Sequence, residues 1–334
     1  MVDYLQPNHI YQLINYGQKL VKDNAFVQSL INKAMEGKGL TPDEAAILLH
    51  IEDQELMDLM IQAAHEIKEK IYGRRIVLFA PLFISNYCVN HCIYCRYKAS
   101  NQSFQRRKLS STEVKEEVEG LLSLGHNRIV LEAGEDAREC SMDYIIQTIK
   151  DINSVKVNTE NIRQINVNVA ATTVKNYQRL KEAEIGTYIL FQETYHKSTY
   201  EKFHPRGPKS NFLWHSTTMD RALIGGIEDV GVGVLLGLYD YKYEIIAMLL
   251  HANYLEQSHG VGPHTISVPR LKVAENVCLE NFPHLVSEIE FKKIVAILRL
   301  SVPYAGLILS TSEESDLRDE LLALGITQIS TMER

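Results

Sequence analysis

The spacing of apolar positions changes character once along this chain. Up to about residue 74 they recur every three to four residues, as on one face of a helix. Gly39-Leu-Thr-Pro-Asp-Glu44 is a helix start, with Thr41 as N-cap, Pro42 at the first helical position and Glu44 completing a capping box. Helices are expected over 42–50 and from about 53 to 72, so that residues 1–74 form a helical extension with a structural role. Further on, short β-branched-rich apolar runs alternate with helical segments. Strands are expected at 76–83, 128–133, 165–171, 186–192, 229–237, 265–269, 306–311 and 326–330. Helices are expected between them, at 112–124, 142–152, 174–183, 213–225, 242–257, 288–301 and 315–324. Ser110 and Glu113 make a second capping box at the first of these.

Near-continuous apolar strands separated by helices imply a parallel sheet. Eight of them imply an α/β fold, a TIM-type (β/α)8 barrel over residues 75–334, with its chemistry at the strand C-termini. Only seven helices follow the eight strands. The sequence stops at Thr331-Met-Glu-Arg334, so the eighth helix is missing and apolar surface would be left uncovered. Either a partner covers it or the sequence is a shortened version of a longer protein.

Composition narrows the function classes. A hydrophobic fraction of 45% with 23% charged residues is that of an ordinary globular protein. The net charge of −7 disfavours a nucleic-acid footprint, and Arg106-Arg107-Lys108 reads as a solvated loop or a local anion contact. No run of about 18 apolar residues suggests a membrane span. Met1-Val-Asp-Tyr4 does not open a signal peptide. A reducing cytoplasm is the expected location.

Cys88, Cys92 and Cys95 stand in Asn86-Tyr-Cys-Val-Asn-His-Cys-Ile-Tyr-Cys-Arg96, directly after the first barrel strand. Zinc would want four ligands in paired knuckles, and a ferredoxin would want a fourth cysteine nearby, yet the others are Cys140 and Cys278. Five cysteines without a secretory segment do not make a disulfide scaffold. Three thiolates on one loop suit a [4Fe-4S] cluster with one iron left open. That iron can chelate S-adenosylmethionine (SAM) and cleave it reductively to a 5′-deoxyadenosyl radical, which the protein aims at one bond. Tyr94, just before the third cysteine, is placed to form an adenine wall.

Polar groups at the strand ends extend this site. Ala133 and Gly134 let backbone approach a ligand, and Glu135 can accept from the SAM ammonium. Asn168 within the third strand and Gln192-Glu193 closing the fourth are candidates for ribose hydroxyls or the amino group. Arg221, in the helix before strand five, is placed to clamp the SAM carboxylate. Val230-Gly-Val-Gly-Val-Leu-Leu-Gly237 is a strand whose small residues admit adenine or another backbone. Arg270, after Ser267-Val-Pro269, suits a substrate carboxylate. His264 precedes the same strand and faces the opposite end of the barrel, where a satisfied structural histidine is expected.

These residues resemble a known family. Leu78-Phe-Ala-Pro-Leu-Phe-Ile-Ser-Asn-Tyr-Cys-Val-Asn-His-Cys-Ile-Tyr-Cys95, Leu131-Glu-Ala-Gly-Glu135, Tyr188-Ile-Leu-Phe-Gln-Glu-Thr-Tyr-His196 and Gly260-Val-Gly-Pro-His-Thr-Ile-Ser-Val-Pro-Arg270 are similar to the aromatic-amino-acid-lyase branch of radical-SAM enzymes. The similarity is greatest to the tyrosine lyases that mature [FeFe]-hydrogenase and less to the thiazole-forming tyrosine lyases. It implies Cα–Cβ cleavage of L-tyrosine to p-cresol and dehydroglycine, the latter converted to CO and cyanide ligands. It also implies an electron donor such as flavodoxin or ferredoxin, and hydrogenase-maturation proteins as partners. In that family a second cluster sits on a C-terminal extension, and the histidine matching His264 ligates it. Here the extension cysteines are not present. Ser312, in Leu309-Ser-Thr-Ser-Glu313, stands where relatives carry an arginine associated with the substrate carboxylate. A serine in its place implies a cost of roughly 1.5–3 kcal/mol in tyrosine anchoring. Two other readings stay open: a related lyase for thiazole synthesis or another aromatic amino acid, and a degenerate paralogue that binds without turnover.

Overall fold

The computed structural model of the chain describes residues 4–272, 282–310 and 312–331, so Cys278 lies outside the described residues. Four helices come first: α1 (Pro7–Leu20), α2 (Asn24–Ala34), α3 (Pro42–Leu48) and α4 (Gln54–Tyr72). The alternation follows with β1 (Val77–Ser85), α5 (Ser111–Ser123), β2 (Arg128–Ala133), α6 (Met142–Ser154), β3 (Gln164–Asn168), α7 (Val174–Glu182) and β4 (Thr187–Glu193). Next come α8 (Lys197–Phe203), α9 (Phe212–Ser216), α10 (Thr218–Ile224), β5 (Asp229–Val234) and α11 (Tyr241–His259). The remainder is β6 (Thr265–Ser267), α12 (Glu288–Ser301), β7 (Gly306–Leu309), α13 (Ser315–Leu324) and β8 (Gln328–Ser330).

The strands close in sequence order into a barrel. First and last strands meet directly: Val77 N donates to Thr327 O at 2.9 Å, and Thr331 N to Phe79 O at 2.8 Å. Local chemistry starts the helices at the right places. Ser110 and Glu113 bond reciprocally at the head of α5, and Ser141, Thr173 and Asp240 cap α6, α7 and α11.

Several expected elements differ in extent. The helix anticipated over 213–225 is two, because Asn211 caps α9 and Thr217 turns out of helical geometry at φ −98° and ψ 17°. Helix α8 was not expected. Strand β3 stops at Asn168 and β6 at Ser267. Pro269, which has no N–H, instead accepts from Leu236 N at 2.8 Å.

The chain divides into two compact units. One gathers Met1–Val77, Phe191–His196 and Val232–Ile329. Within it α1 packs on α3 and α11, while α4 packs on α12 and α13. Fully buried Arg299 anchors this packing by donating to Gly325 O, Pro303 O and Ala305 O. The other unit gathers Leu78–Leu190, Lys197–Gly231 and Ser330–Arg334. It carries a groove of about 420 Å³ lined by Ala80, Leu82, Phe83, Leu121 and Leu124, with Glu116, Glu117 and His126 among its polar members.

Candidate active site

Strand β1 delivers the chain into the cysteine loop, and both ends of that loop are tied. Asn86 Oδ1 accepts from Arg107 N at 2.7 Å, while Asn86 Nδ2 donates to Gln105 O at 3.0 Å. Arg106 fills the loop's interior. Its guanidinium donates to Asn86 O, to Tyr97 O at 2.9 Å, to Lys98 O at 2.8 Å and to Asn101 O at 3.2 Å, and it lies 4.8 Å from the Phe104 ring centre. The expectation of a solvated or anion-contacting Arg106 is corrected: its partners are carbonyls of its own loop.

None of the three cysteines on this loop is in a disulfide; Cys92 is buried, and Cys88 and Cys95 are part-exposed. Backbone bonds fix the peptides between them. Val89 N donates to Glu135 O at 2.8 Å, His91 N to Arg206 O at 3.1 Å and Ile93 N to Phe203 O at 3.0 Å. No three His, Cys, Asp or Glu side chains among the described residues gather on a single-ion site. A [4Fe-4S] cube does not need that, because each thiolate holds a different iron. Three soft donors on one loop fit such a cluster with one iron left open.

Ala133 pairs with Ser85 across the β1–β2 ladder, and Gly134 N donates to Ser85 O at 3.0 Å. A methyl group at Gly134 would stand 2.2 Å from Tyr87 O, so glycine is required where β2 abuts the cysteine loop. Burial raises the Glu135 carboxyl above its ordinary range, against the hydrogen bond from Asn90 Nδ2 at 2.6 Å. Tyr94 Oη lies 2.8 Å from His204 Nε2. His204 Nδ1 is 2.8 Å from Tyr200 O, a pure acceptor, so Nδ1 carries the proton and Nε2 accepts from Tyr94. Burial lowers His204 to about 3 and keeps it neutral. Asn168 ends β3, half-buried and opposite Glu132.

Arg221 is turned toward its own surroundings. It donates to Thr172 O at 2.8 Å, Trp214 O at 2.6 Å, and both Thr217 O at 3.1 Å and Thr217 Oγ1 at 2.8 Å, and it lies 3.7 Å from the Trp214 ring centre. A single N–H of the guanidinium is left over by these bonds.

The other unit holds Glu193 and Arg270. Glu193 closes β4 at φ +67°, a left-handed conformation uncommon outside glycine, and its carbonyl accepts from Leu235 N at 2.9 Å. Arg270 forms a two-pronged pair with Glu313 and donates to Val286 O at 3.0 Å. Lys272 Nζ reaches the same carboxylate at 2.8 Å. Burial works to raise Glu313, but the bonds from Arg270 and Lys272 prevail and hold it below the ordinary carboxylate range. Two cations on one anion leave this group net positive, with Lys272 its more exposed member. Sequence reasoning missed Lys272, which carried no motif. Ser312 is exposed, beside buried Glu313. His264 is exposed ahead of β6. At Gly233 a methyl group would stand 2.6 Å from Ser267 O, so this glycine serves the approach of a neighbouring backbone.

A closed parallel barrel with three cysteines on the loop after β1 defines a radical-SAM enzyme, and comparison with known proteins gives its branch. The chain superposes on the crystal structure of HydG, a maturase of the [FeFe]-hydrogenase, with a TM-score of 0.96 and 54% identity, covering 98% of this chain and 72% of that one. HydG from Carboxydothermus hydrogenoformans gives a TM-score of 0.87 and 41% identity over 98% and 77%. The 2-iminoacetate synthase of Escherichia coli (strain K12) is 26% identical over 307 residues, 91% of this chain and 78% of that protein. Residues 267–334 match the Biotin and Thiamin Synthesis associated domain. The chain belongs to the HydG family of radical-SAM carbon–carbon lyases. Its cofactors are a [4Fe-4S] cluster and SAM.

Proposed function

We propose that the chain cleaves the Cα–Cβ bond of L-tyrosine to p-cresol and dehydroglycine in the assembly of [FeFe]-hydrogenase. The observation that carries this reading is the 54% identity to HydG across 98% of the chain. In this reading Cys88, Cys92 and Cys95 hold the cluster, while Tyr94, Ala133, Gly134, Glu135, Asn168, Glu193 and Arg221 serve SAM. When bound, the cluster and SAM supply a carbon-centred radical that removes hydrogen from the substrate. The chain's own residues position the partners. Glu135 accepts from the ammonium, Gly134 brings backbone close, and the tied loop keeps the cysteines in place. Arg270, braced by Glu313 and joined by Lys272, offers net positive charge to the substrate carboxylate. That charge offsets in part the want of a guanidinium at Ser312. A low-potential donor such as flavodoxin or ferredoxin supplies the electron.

Anaerobic reconstitution followed by tyrosine, SAM and dithionite tests the reading. The expected products are 5′-deoxyadenosine and p-cresol. CO trapped on haemoglobin, together with cyanide, separates the maturase role from a lyase that stops at dehydroglycine, as the 26% identity to 2-iminoacetate synthase would favour. Absence of both 5′-deoxyadenosine and p-cresol would leave a binding protein without turnover.

A further inference from the structure

Asn90 lies between Cys88 and Cys92 and is only 2% exposed. Every polar atom of its side chain is engaged. Nδ2 donates to Glu135 Oε2 at 2.6 Å and makes a long N–H···S contact with Cys88 Sγ at 3.8 Å. Oδ1 accepts from Lys209 N at 2.9 Å. Its main-chain carbonyl accepts from Ala99 N at 2.7 Å. The fit is close as well, since a methyl group at Gly207 would stand 2.3 Å from Asn90 Oδ1. Gly207 itself sits at φ +100°, where a side chain would be strained.

One planar amide therefore points its two N–H groups at two different partners. Its third atom pins it to the 207–209 turn, so it cannot rotate to favour either. An N–H donor on a cluster thiolate stabilises the extra negative charge of the reduced state, and hydrogen bonds to sulfur are a principal control of cluster potential. The same amide fixes where the half-buried Glu135 carboxylate points.

We propose that Asn90 is a positioning residue that holds the Cys88 sulfur and the Glu135 carboxylate in one fixed geometry, setting both the reduction potential of the cluster and the affinity for SAM. The proposal rests on Cys88 holding the cluster and Glu135 meeting SAM, as read above. Asn90→Ala removes all three side-chain contacts. Asn90→Asp keeps the shape and the acceptor for Lys209 N but replaces both donors with a negative charge.

The test uses the full chain, reconstituted anaerobically, with three readouts: iron per chain, a potentiometric titration followed by electron paramagnetic resonance, and SAM binding by calorimetry. Asn90→Ala should retain its cluster while the reduced-to-oxidised ratio at a fixed potential falls about tenfold, equal to about 59 mV for a one-electron couple. SAM affinity should fall about tenfold, the lower end of losses for outer-shell partners. Asn90→Asp should shift the potential further in the same direction. Wild-type values of either quantity in Asn90→Ala overturn the proposal. So does loss of the cluster from both variants, which would make Asn90 a structural loop residue only. Cys88→Ala separates the two layers of the argument. If it keeps a wild-type cluster signal the cysteine reading has failed. If it loses the signal while both Asn90 variants match wild type, only the Asn90 proposal has failed.

Discussion

Cys92 is buried in the loop after β1, and the one further cysteine among the described residues outside that loop, Cys140, is a poor substitute, because burial pushes its thiol up to about 12, away from the thiolate a metal needs. Cys92→Ala is expected to lose the SAM-cleaving cluster, read as an absent cluster signal and no 5′-deoxyadenosine with dithionite. Normal SAM cleavage by this variant would dismiss the assignment. Glu244 gives a pH prediction of a different kind. It is fully buried at the head of α11 and accepts from Thr194 Oγ1 and, at 2.7 Å, from Tyr195 N. Burial raises it from 4.5 to about 8 despite those bonds. The folded chain therefore keeps a proton that the unfolded chain gives up. Between pH 4.5 and about 8 stability should fall as pH rises, by about 1.4 kcal/mol per unit. Unfolding midpoints at pH 5, 6.5 and 8 should decline in wild type and much less in Glu244→Gln. Parallel declines would assign the effect to other groups. At this scale the cysteine spacing was open to reading because it is local. Asn90 and Lys272 were not, since their partners at Glu135 and Glu313 are distant in sequence.

Among the elements, the loop after β1 depends most on one side chain. Arg106→Ala would leave the carbonyls of Asn86, Tyr97, Lys98 and Asn101 without that donor. A loss on the order of 3 kcal/mol is expected in the loop. Chelator-driven cluster release should accelerate, and Arg106→Lys should restore little because an ammonium lacks the planar fork. Wild-type release rates in both variants would show that the cluster itself, once bound, holds the loop. The strands and most helices were legible from apolar spacing and caps. Helix α8 was not, because Lys197–Phe203 is too short to display a period. Its consequence is large, since Phe203 O and Arg206 O receive the loop's N–H groups. The sequence His204-Pro-Arg-Gly-Pro208, dense in turn formers, was the available signal.

At the scale of the molecule, a parallel barrel that closes in sequence order makes its first strand wait for its last. Phe79 is held by Thr331, 252 residues away along the chain. The search for such a partner is governed by loop-closure entropy, and contacts of this separation slow folding. β1 carries the cysteine loop directly on its end, so the platform beneath that loop has one edge unpaired until β8 has been synthesised and docked. Cluster loading is then expected to be a late event, after β8 has closed the barrel. A nascent chain halted before β8 should take up iron and sulfide poorly, and pulse-labelled amides of β1 should gain protection from exchange only as β8 arrives. The closing seam thus sets an expected order of assembly, with metal entering a barrel already shut.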